Sequence, residues 1–341
     1  MRAWVFEGGF GYEHLRLRLR EGDMPRPGPR DVLLAMRAAA LNYRDLVVLR
    51  GQHGRRVTPP LIPLSDGVGV VVEAGAEVTD LKPGDRVCPS FFQHWDGGAP
   101  PADLEEGRLG GPLDGVLATH RVFPASGVTR APDHLADAEA ATLPCAGLTA
   151  WSALDAAPPV RPGETVLILG TGGVALMGVM LAKSAGARVI VTTSSPDRAA
   201  RVQALGADLV IDRSATPDWS AAVRAATEGA GVDRVLELGG EKTLPDAIRA
   251  TRVGGQIILI GNVTGNRPEI FLPAVLTRQL TLRSVTVGSR QGFAAMARAI
   301  AQHRLRPVVG RTVPFEHAPE AFRALEAQAT FGNICITMDG A

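Results

Sequence analysis

The chain is poor in residues on which several protein classes depend. Its 341 residues include three cysteines, Cys88, Cys145 and Cys335. They are odd in number and far apart, so neither a disulfide framework nor a four-cysteine zinc site can be assembled from them. A reducing, cytoplasmic compartment is the expected home. Only two tyrosines are present, Tyr12 and Tyr43, followed four residues on by Arg16 and Val47. The Tyr-x-x-x-Lys pair of short-chain dehydrogenases is therefore excluded. A net charge of +1, with no long run of like charge, gives little attraction toward nucleic acid or an anionic membrane. A membrane span is missing too: the uncharged stretch from Thr165 to Ala182 contains Gly170, Gly172, Gly173 and Gly178, which suits a strand, a tight turn and a helix. Near the start, Glu7, Gly8 and Gly9 interrupt the apolar core that an export signal needs.

The apolar content of 45% and charged content of 21% are those of a globular protein, and the length suits two domains. From about 150 to 290, β-branched runs alternate with Ala-rich helical stretches. The runs are TVLILG from Thr165, RVIVTT from Arg188, DLVID from Asp208, DRVLEL from Asp233, GQIILIG from Gly255 and TLRSVTV from Thr281. Helical patterns start near Ala175, Pro196, Asp218, Glu241 and Pro273, so each strand is followed by a crossover and a doubly wound parallel sheet is expected. The first 145 residues instead carry short strands such as DVLLAMRAAAL and GVGVVVEAG between Pro- and Gly-rich turns, the pattern of a mainly β domain. Residues 91–112 lack periodicity and form a long loop of the kind that often walls a pocket. The last 50 residues offer helices over 293–302 and 319–328 and strands at Thr312 and NICIT. They are too few for a third domain and return to the first.

At Gly170 the chain reads GTGGVA. Thirty-nine glycines produce roughly four GxG matches by chance, so the context matters more than the motif. Here VLIL precedes it and an Ala-rich helix follows, which points to dinucleotide binding by Gly170, Gly172, Gly173 and Val174. An NAD-selective site places a carboxylate at the end of the second strand. This chain has TTSSPDR there. Ser194 and Ser195 can donate to a 2′-phosphate and Arg198 can neutralise it, so NADPH is expected. Capping of the next helix by Ser195 is a compatible alternative.

Several stretches together resemble the medium-chain dehydrogenase/reductase superfamily, in particular its alcohol dehydrogenase-like and quinone oxidoreductase-like members. They are LNYRDLVVLRG from Leu41, PLIPLSDGVGVVVEAG from Pro60, LKPGDRV from Leu81, GPLDGVLATHRVFPA from Gly111, LPCAGLTAWSAL from Leu143, and the GTGGVA loop. The resemblance implies an α/β fold in which a Rossmann doubly wound parallel sheet (147–289) joins a chaperonin-10-like (GroES-like), mainly β catalytic domain (1–146 and 290–341). The active site would lie in the cleft, and a homodimer through the last Rossmann strand would be typical.

Zinc-dependent relatives bind catalytic zinc through a Cys, a His and a later Cys. The matching positions here are Asn42, Ser65 and Cys145, which leave one thiolate where three protein ligands are needed. The lobe carrying structural-zinc cysteines would fall over 91–112, which has none. Neither zinc is expected, and Cys145 reads as a small buried residue. Without a metal, hydride must go to an acceptor activated by conjugation or by hydrogen-bond donors, so the expected activity is NADPH-dependent reduction of a quinone or an α,β-unsaturated carbonyl. A metal-independent alcohol or aldehyde oxidoreductase, or a binding protein without turnover, remains open. The resemblance assigns Asn42, Tyr43, Asp45 and Phe91 to the substrate side, with Tyr43 equally able to contact the cofactor and water as the other proton source. Arg44 stands where zinc enzymes keep a relay hydroxyl. A local Arg44–Asp45 ion pair in a turn is the structural alternative for this stretch. His94 and Trp95 are further pocket candidates. Thr149, Gly239, Gly261, Asn262 and Ser289 are assigned to strand ends facing the cofactor, with Arg213 toward adenine. Arg50, Arg55 and Arg56 are either an anion-binding group or a solvated basic loop. Asn333 replaces a family Lys near the C-terminus.

Overall fold

A computed structural model describes residues 1–19, 24–53 and 57–338. Arg55 and Arg56 lie outside the described residues. The chain divides into two compact units, residues 1–148 with 287–341, and residues 149–286.

In the first unit, β1 (Arg2–Phe6) and β2 (Leu15–Leu19) form an antiparallel pair. The long strand β3 (Asp31–Leu41) follows, then α1 (Tyr43–Leu49), β4 (Asp66–Ala74), β5 (Arg86–Pro89), β6 (His120–Pro124) and β7 (Val128–Arg130). A short helix α2 (Asp137–Ala140) leads into a π-helical turn, Leu143–Gly147. The stretch read as a loop, 91–112, contains a 3₁₀ turn over Leu104–Gly107, and Phe91, Phe92 and Gln93 are buried. Its tip is held by a helix remote in sequence, as described below.

The second unit opens with α3 (Leu148–Asp155). Parallel strands β8 (Thr165–Leu169), β9 (Arg188–Thr193), β10 (Leu209–Asp212), β11 (Val232–Glu237), β12 (Thr251–Leu259) and β13 (Thr281–Ser284) then alternate with α4 (Gly173–Ser184), α5 (Pro196–Ala204), α6 (Trp219–Ala226), α7 (Leu244–Ala250) and α8 (Leu272–Thr277). The sheet order is β10-β9-β8-β11-β12-β13, every pair parallel. The order reverses between β8 and β11, which is the switch point at which such sheets bind ligands. Strand residues such as Leu167, Ile190, Val235 and Ile257 are fully buried against Trp219, Val223, Ala247 and Ile248, which explains the unbroken apolar runs.

The chain then returns to the first unit with α9 (Arg290–His303), β14 (Val309–Pro314), α10 (Ala318–Glu326) and β15 (Asn333–Thr337). Strand β15 lies between β14 and β3, completing the order β14-β15-β3-β4-β5-β7 with β6 also paired to β3. Asn333, at the family Lys position, is buried and donates from its amide to the Val308 carbonyl at 3.0 Å. It is a strand-joining residue.

Candidate active site

The first unit gathers Asn42, Asp45, Ser65, Asp66 and Cys145 around the start of α1. The NYRD stretch is helical. Asn42 is the N-cap, its N–H donates to Asp45 Oδ2 at 2.7 Å, and the Asp45 N–H returns to the Asn42 carbonyl at 2.9 Å. An acidic N3 residue closing back on the cap is a stable helix start. Asp45 also accepts from Arg44 Nη1 at 3.2 Å, so the local ion pair is present, within a helix. Asp45 is buried; it holds the backbone of Asn42 in place and is closed to solvent. The Asn42 Nδ2 is buried and meets no acceptor at full hydrogen-bond geometry, but its amide faces the Asp66 carboxyl and favours that group's charged form.

Asp66 is wholly buried. Ser65 Oγ donates to its Oδ1 at 2.7 Å and the Cys145 N–H to its Oδ2 at 2.8 Å. Burial, with Asp45 adding to it, pushes its carboxyl up to about 7, so near neutral pH it can hold a proton. The motif reading stopped at Ser65 and missed this neighbour. Cys145 is half-buried, less enclosed than expected; Cys88 and Cys335 are the fully buried thiols. Zinc does not fit this set. The Asn42 position offers an amide and the Ser65 hydroxyl is committed to Asp66. Among the described residues no three His, Cys, Asp or Glu side chains cluster as a metal site.

Phe91 is buried, edge-on to Phe92 at 4.7 Å between ring centroids, with the Arg44 guanidinium 5.2 Å above its ring. Arg44 Nη2 also donates to the Gly110 carbonyl at 3.1 Å. The phenyl ring and the basic side chain are thus stacked on each other. The loop beyond is tied to α9: the Arg290 and Gln291 N–H groups donate to the Trp95 and Asp96 carbonyls, and Arg290 Nε reaches Asp96 Oδ1 at 2.7 Å. Trp95 donates to the Gly98 carbonyl and His94 is exposed, so both serve the loop. Ser289 caps α9, accepting from the Gly292 N–H at 3.1 Å, and belongs with the first unit. The Tyr43 ring packs against the β-domain core. Arg50 pairs with Glu326 at 2.7 Å, which also accepts from Tyr12; this engagement favours the solvated-surface reading.

The second unit carries the nucleotide cradle. Gly170 has φ +90°, its N–H donates to the Thr192 carbonyl, and Gly172 caps α4. A Cβ at Gly170 or Gly172 would meet no protein atom within 4 Å, so both open onto space a pyrophosphate can take. These residues fit a nicotinamide dinucleotide. Arg198 Nη1 donates to Thr171 Oγ1 at 3.0 Å, which puts this guanidinium against the phosphate loop. Thr193 Oγ1 accepts from the Ser195 N–H at 3.1 Å, shaping the turn that exposes Ser194, and Ser195 is the α5 N-cap. The Arg213 N–H donates to the Thr193 carbonyl at 2.7 Å, and its half-buried side chain leaves Nε unpartnered. Thr149 is buried in the first turn of α3. Gly239 and Gly261 are glycines for local reasons as well: a Cβ would lie 2.3 Å from Thr243 Oγ1 at the first and 2.5 Å from the Leu238 carbonyl at the second. Asn262 is exposed and bonds Asn266.

Known proteins match this arrangement along its length. Residues 28–133 match the alcohol dehydrogenase GroES-like domain and 173–302 the zinc-binding dehydrogenase family. A zinc-type alcohol dehydrogenase-like protein of Schizosaccharomyces pombe is 36% identical, covering 95% of this chain and 96% of its own length. An acryloyl-coenzyme A reductase of Metallosphaera sedula is 29% identical, covering 99% and 100%. The crystal structure of an NAD-dependent alcohol dehydrogenase, 32% identical, superposes with a TM-score of 0.90 over 99% of this chain and 100% of that one. From the switch-point sheet, the phosphate loop and these matches it follows that the chain belongs to the medium-chain dehydrogenase/reductase superfamily.

Proposed function

We propose that this oxidoreductase uses NADPH to reduce a quinone or an α,β-unsaturated carbonyl compound without catalytic zinc. The observation that carries the reading is the Asn42, Ser65 and Cys145 set, in which an amide and a hydroxyl gathered around the buried Asp66 carboxyl stand where a zinc enzyme has ligands. The likeness to a reductase of acryloyl-coenzyme A, itself an α,β-unsaturated thioester, supports the acceptor class. When bound, the reduced nicotinamide supplies the hydride. The chain's own residues supply orientation and protons. Asn42, its backbone fixed through Asp45 and its amide beside Asp66, would turn Nδ2 to an acceptor oxygen on which charge develops once a substrate is bound. Phe91 and Arg44 supply a stacked apolar and basic pair. The Asp66 carboxyl holds a proton near neutrality behind Ser65, and the proton delivered to the product comes from water or Tyr43.

Steady-state NADPH oxidation should occur with a quinone or an enone and persist in a chelator. Turnover confined to an aldehyde would establish the alcohol dehydrogenase reading that the relatives' names favour, and absence of turnover on all three would leave a binding protein. For the cofactor, Ser194, Ser195 and Arg198 supply the donors and charge for a 2′-phosphate. Arg198→Ala should raise the Kd for NADPH about tenfold while changing that for NADH less than about twofold. Equal losses would defeat the 2′-phosphate assignment.

A homodimer through the sheet edge is also proposed. Strand β13 ends the parallel sheet, and Val253, Phe271, Leu272 and Leu276 beside it are 63%, 73%, 58% and 66% exposed. Such a patch next to an unpaired strand favours a second copy. Sedimentation should show a dimer, and Phe271→Glu should shift it to monomer.

A further inference from the structure

Glu237 ends β11 at the switch point and has no exposed surface. Nothing in the motif reading singled it out. Its Oε1 accepts three hydrogen bonds, from the Gly239 N–H at 2.7 Å, the Gly240 N–H at 2.9 Å and Thr243 Oγ1 at 2.6 Å. Its backbone carbonyl accepts the Ile260 N–H at 2.9 Å and the Gly261 N–H at 3.2 Å. Two turns that follow different strands are thus held by one residue. They are also joined to each other, because Thr264 donates from N and Oγ1 to the Gly239 carbonyl, at 2.8 and 2.9 Å.

These turns have a specific place in the fold. A doubly wound sheet binds one mononucleotide on each half. The half built from β8, β9 and β10 carries the phosphate loop and the Ser194–Arg198 turn that faces the adenosine ribose. The half from β11 to β13 is left for the nicotinamide side, and its first two strand ends lead into the turns that Glu237 holds. We infer that Glu237 is the positioning residue of the nicotinamide half of the dinucleotide cradle, fixing the 239–240 and 260–262 turns through Oε1 and its carbonyl. The inference rests on the proposed dinucleotide site and adds a residue to it. The other carboxylate oxygen is informative: Oε2 is buried with no hydrogen-bond partner. The holding is done by Oε1, and an amide oxygen can do the same.

Calorimetric titration of the full chain with NADPH and with adenosine 2′,5′-bisphosphate tests this. Glu237→Ala should weaken NADPH about tenfold or more and leave the bisphosphate within about twofold, since that probe uses only the adenosine half. Glu237→Gln should restore NADPH binding to within about threefold of the unaltered protein. Equal weakening of both probes by Ala would reduce Glu237 to general stability, and a Gln variant as damaged as Ala would mean that charge matters instead of the turns. Either result overturns the inference, as does unchanged NADPH binding in Ala. Should Ala fail to fold, Thr243→Val, which removes one of the three Oε1 donors, must weaken NADPH several-fold and spare the bisphosphate for the inference to stand. Parallel titrations of the unaltered protein with NADH keep a wrong 2′-phosphate assignment separate, because it would show as tighter NADH binding without altering the Ala-to-Gln comparison.

Discussion

Arg234→Met should cost about 3 kcal/mol or more of unfolding free energy, seen as a fall in Tm of roughly 4 °C for a chain of this length. Arg234 lies on β11, 3% exposed. Its Nη1 donates to the Ala153 and Leu154 carbonyls, each at 2.7 Å, and its Nη2 to those of Ala156, at 3.0 Å, and Pro158. These carbonyls belong to the last turn of α3 and the segment after it, groups that a helix leaves without internal partners. The guanidinium therefore does for this helix end what a glycine cap or solvent does elsewhere. Methionine fills much of the volume, but it leaves the buried Ala153 and Ala156 carbonyls bare, while Leu154 keeps the Val160 N–H, and stranded polar groups make such a change expensive. Arg234→Lys keeps the charge with a single donating centre and should recover part of the loss. Thermal unfolding of the three proteins decides the matter: a Met variant within about 1 kcal/mol of the unaltered chain would show that water caps α3 adequately.

Asp66→Asn should change how stability depends on pH. In the unfolded chain this carboxyl has its ordinary value of 3.8, and in the fold it is raised to about 7, chiefly by burial. Between those values the unfolded chain releases the proton and the folded chain keeps it. Stability from this group is therefore greatest below about pH 4, declines as pH rises to about 7, and stays low above that. The whole change is on the order of 4 kcal/mol. Asparagine carries no proton to lose, and its side-chain oxygen can still accept from Ser65 or from the Cys145 N–H. The variant should match or trail the unaltered protein near pH 4.5 and exceed it above pH 7. Parallel unfolding curves at pH 4.5, 6 and 8 measure the difference. A constant gap across that range would mean that Asp66 does not titrate there.

The sequence made some parts of this molecule plain and hid others for physical reasons. Six apolar, β-branched runs separated by helices are the signature of strands buried on both faces, and all six appear as the parallel sheet. The GTGGVA loop is local in sequence and was equally visible. Asn42 and Asp45 stand at the N-cap and N3 spacing, a helix-start signal present in the sequence, where the structural alternative was a turn after the strand ending at Leu41 with a local Arg44–Asp45 ion pair. Asp66 and Glu237 were hidden for another reason. A carboxylate looks solvated in a sequence until its donors are known, and one donor to Asp66 is Cys145, 79 residues away. The loop at 91–112 was similar, because the contact ordering its tip joins Asp96 to Arg290, 194 residues apart. The GroES-like fold was legible only through its resemblance to a family, since β3 pairs with β6 and with β15 from the far end of the chain as well as with β4.

The placement of β15 between β14 and β3 has a consequence during synthesis. The second unit is one continuous stretch, so all of its strands can pair while the remainder of the chain is still emerging. The first unit cannot close. Residues Ala38–Leu41 of β3 await Ile334–Thr337, nearly three hundred residues later. Until the ribosome reaches that point, a nascent chain presents an apolar strand edge with no native partner, the kind of surface that chaperones bind and that seeds aggregation. Truncated or stalled products ending before β15 carry the same exposed edge permanently, even with the dinucleotide unit fully folded.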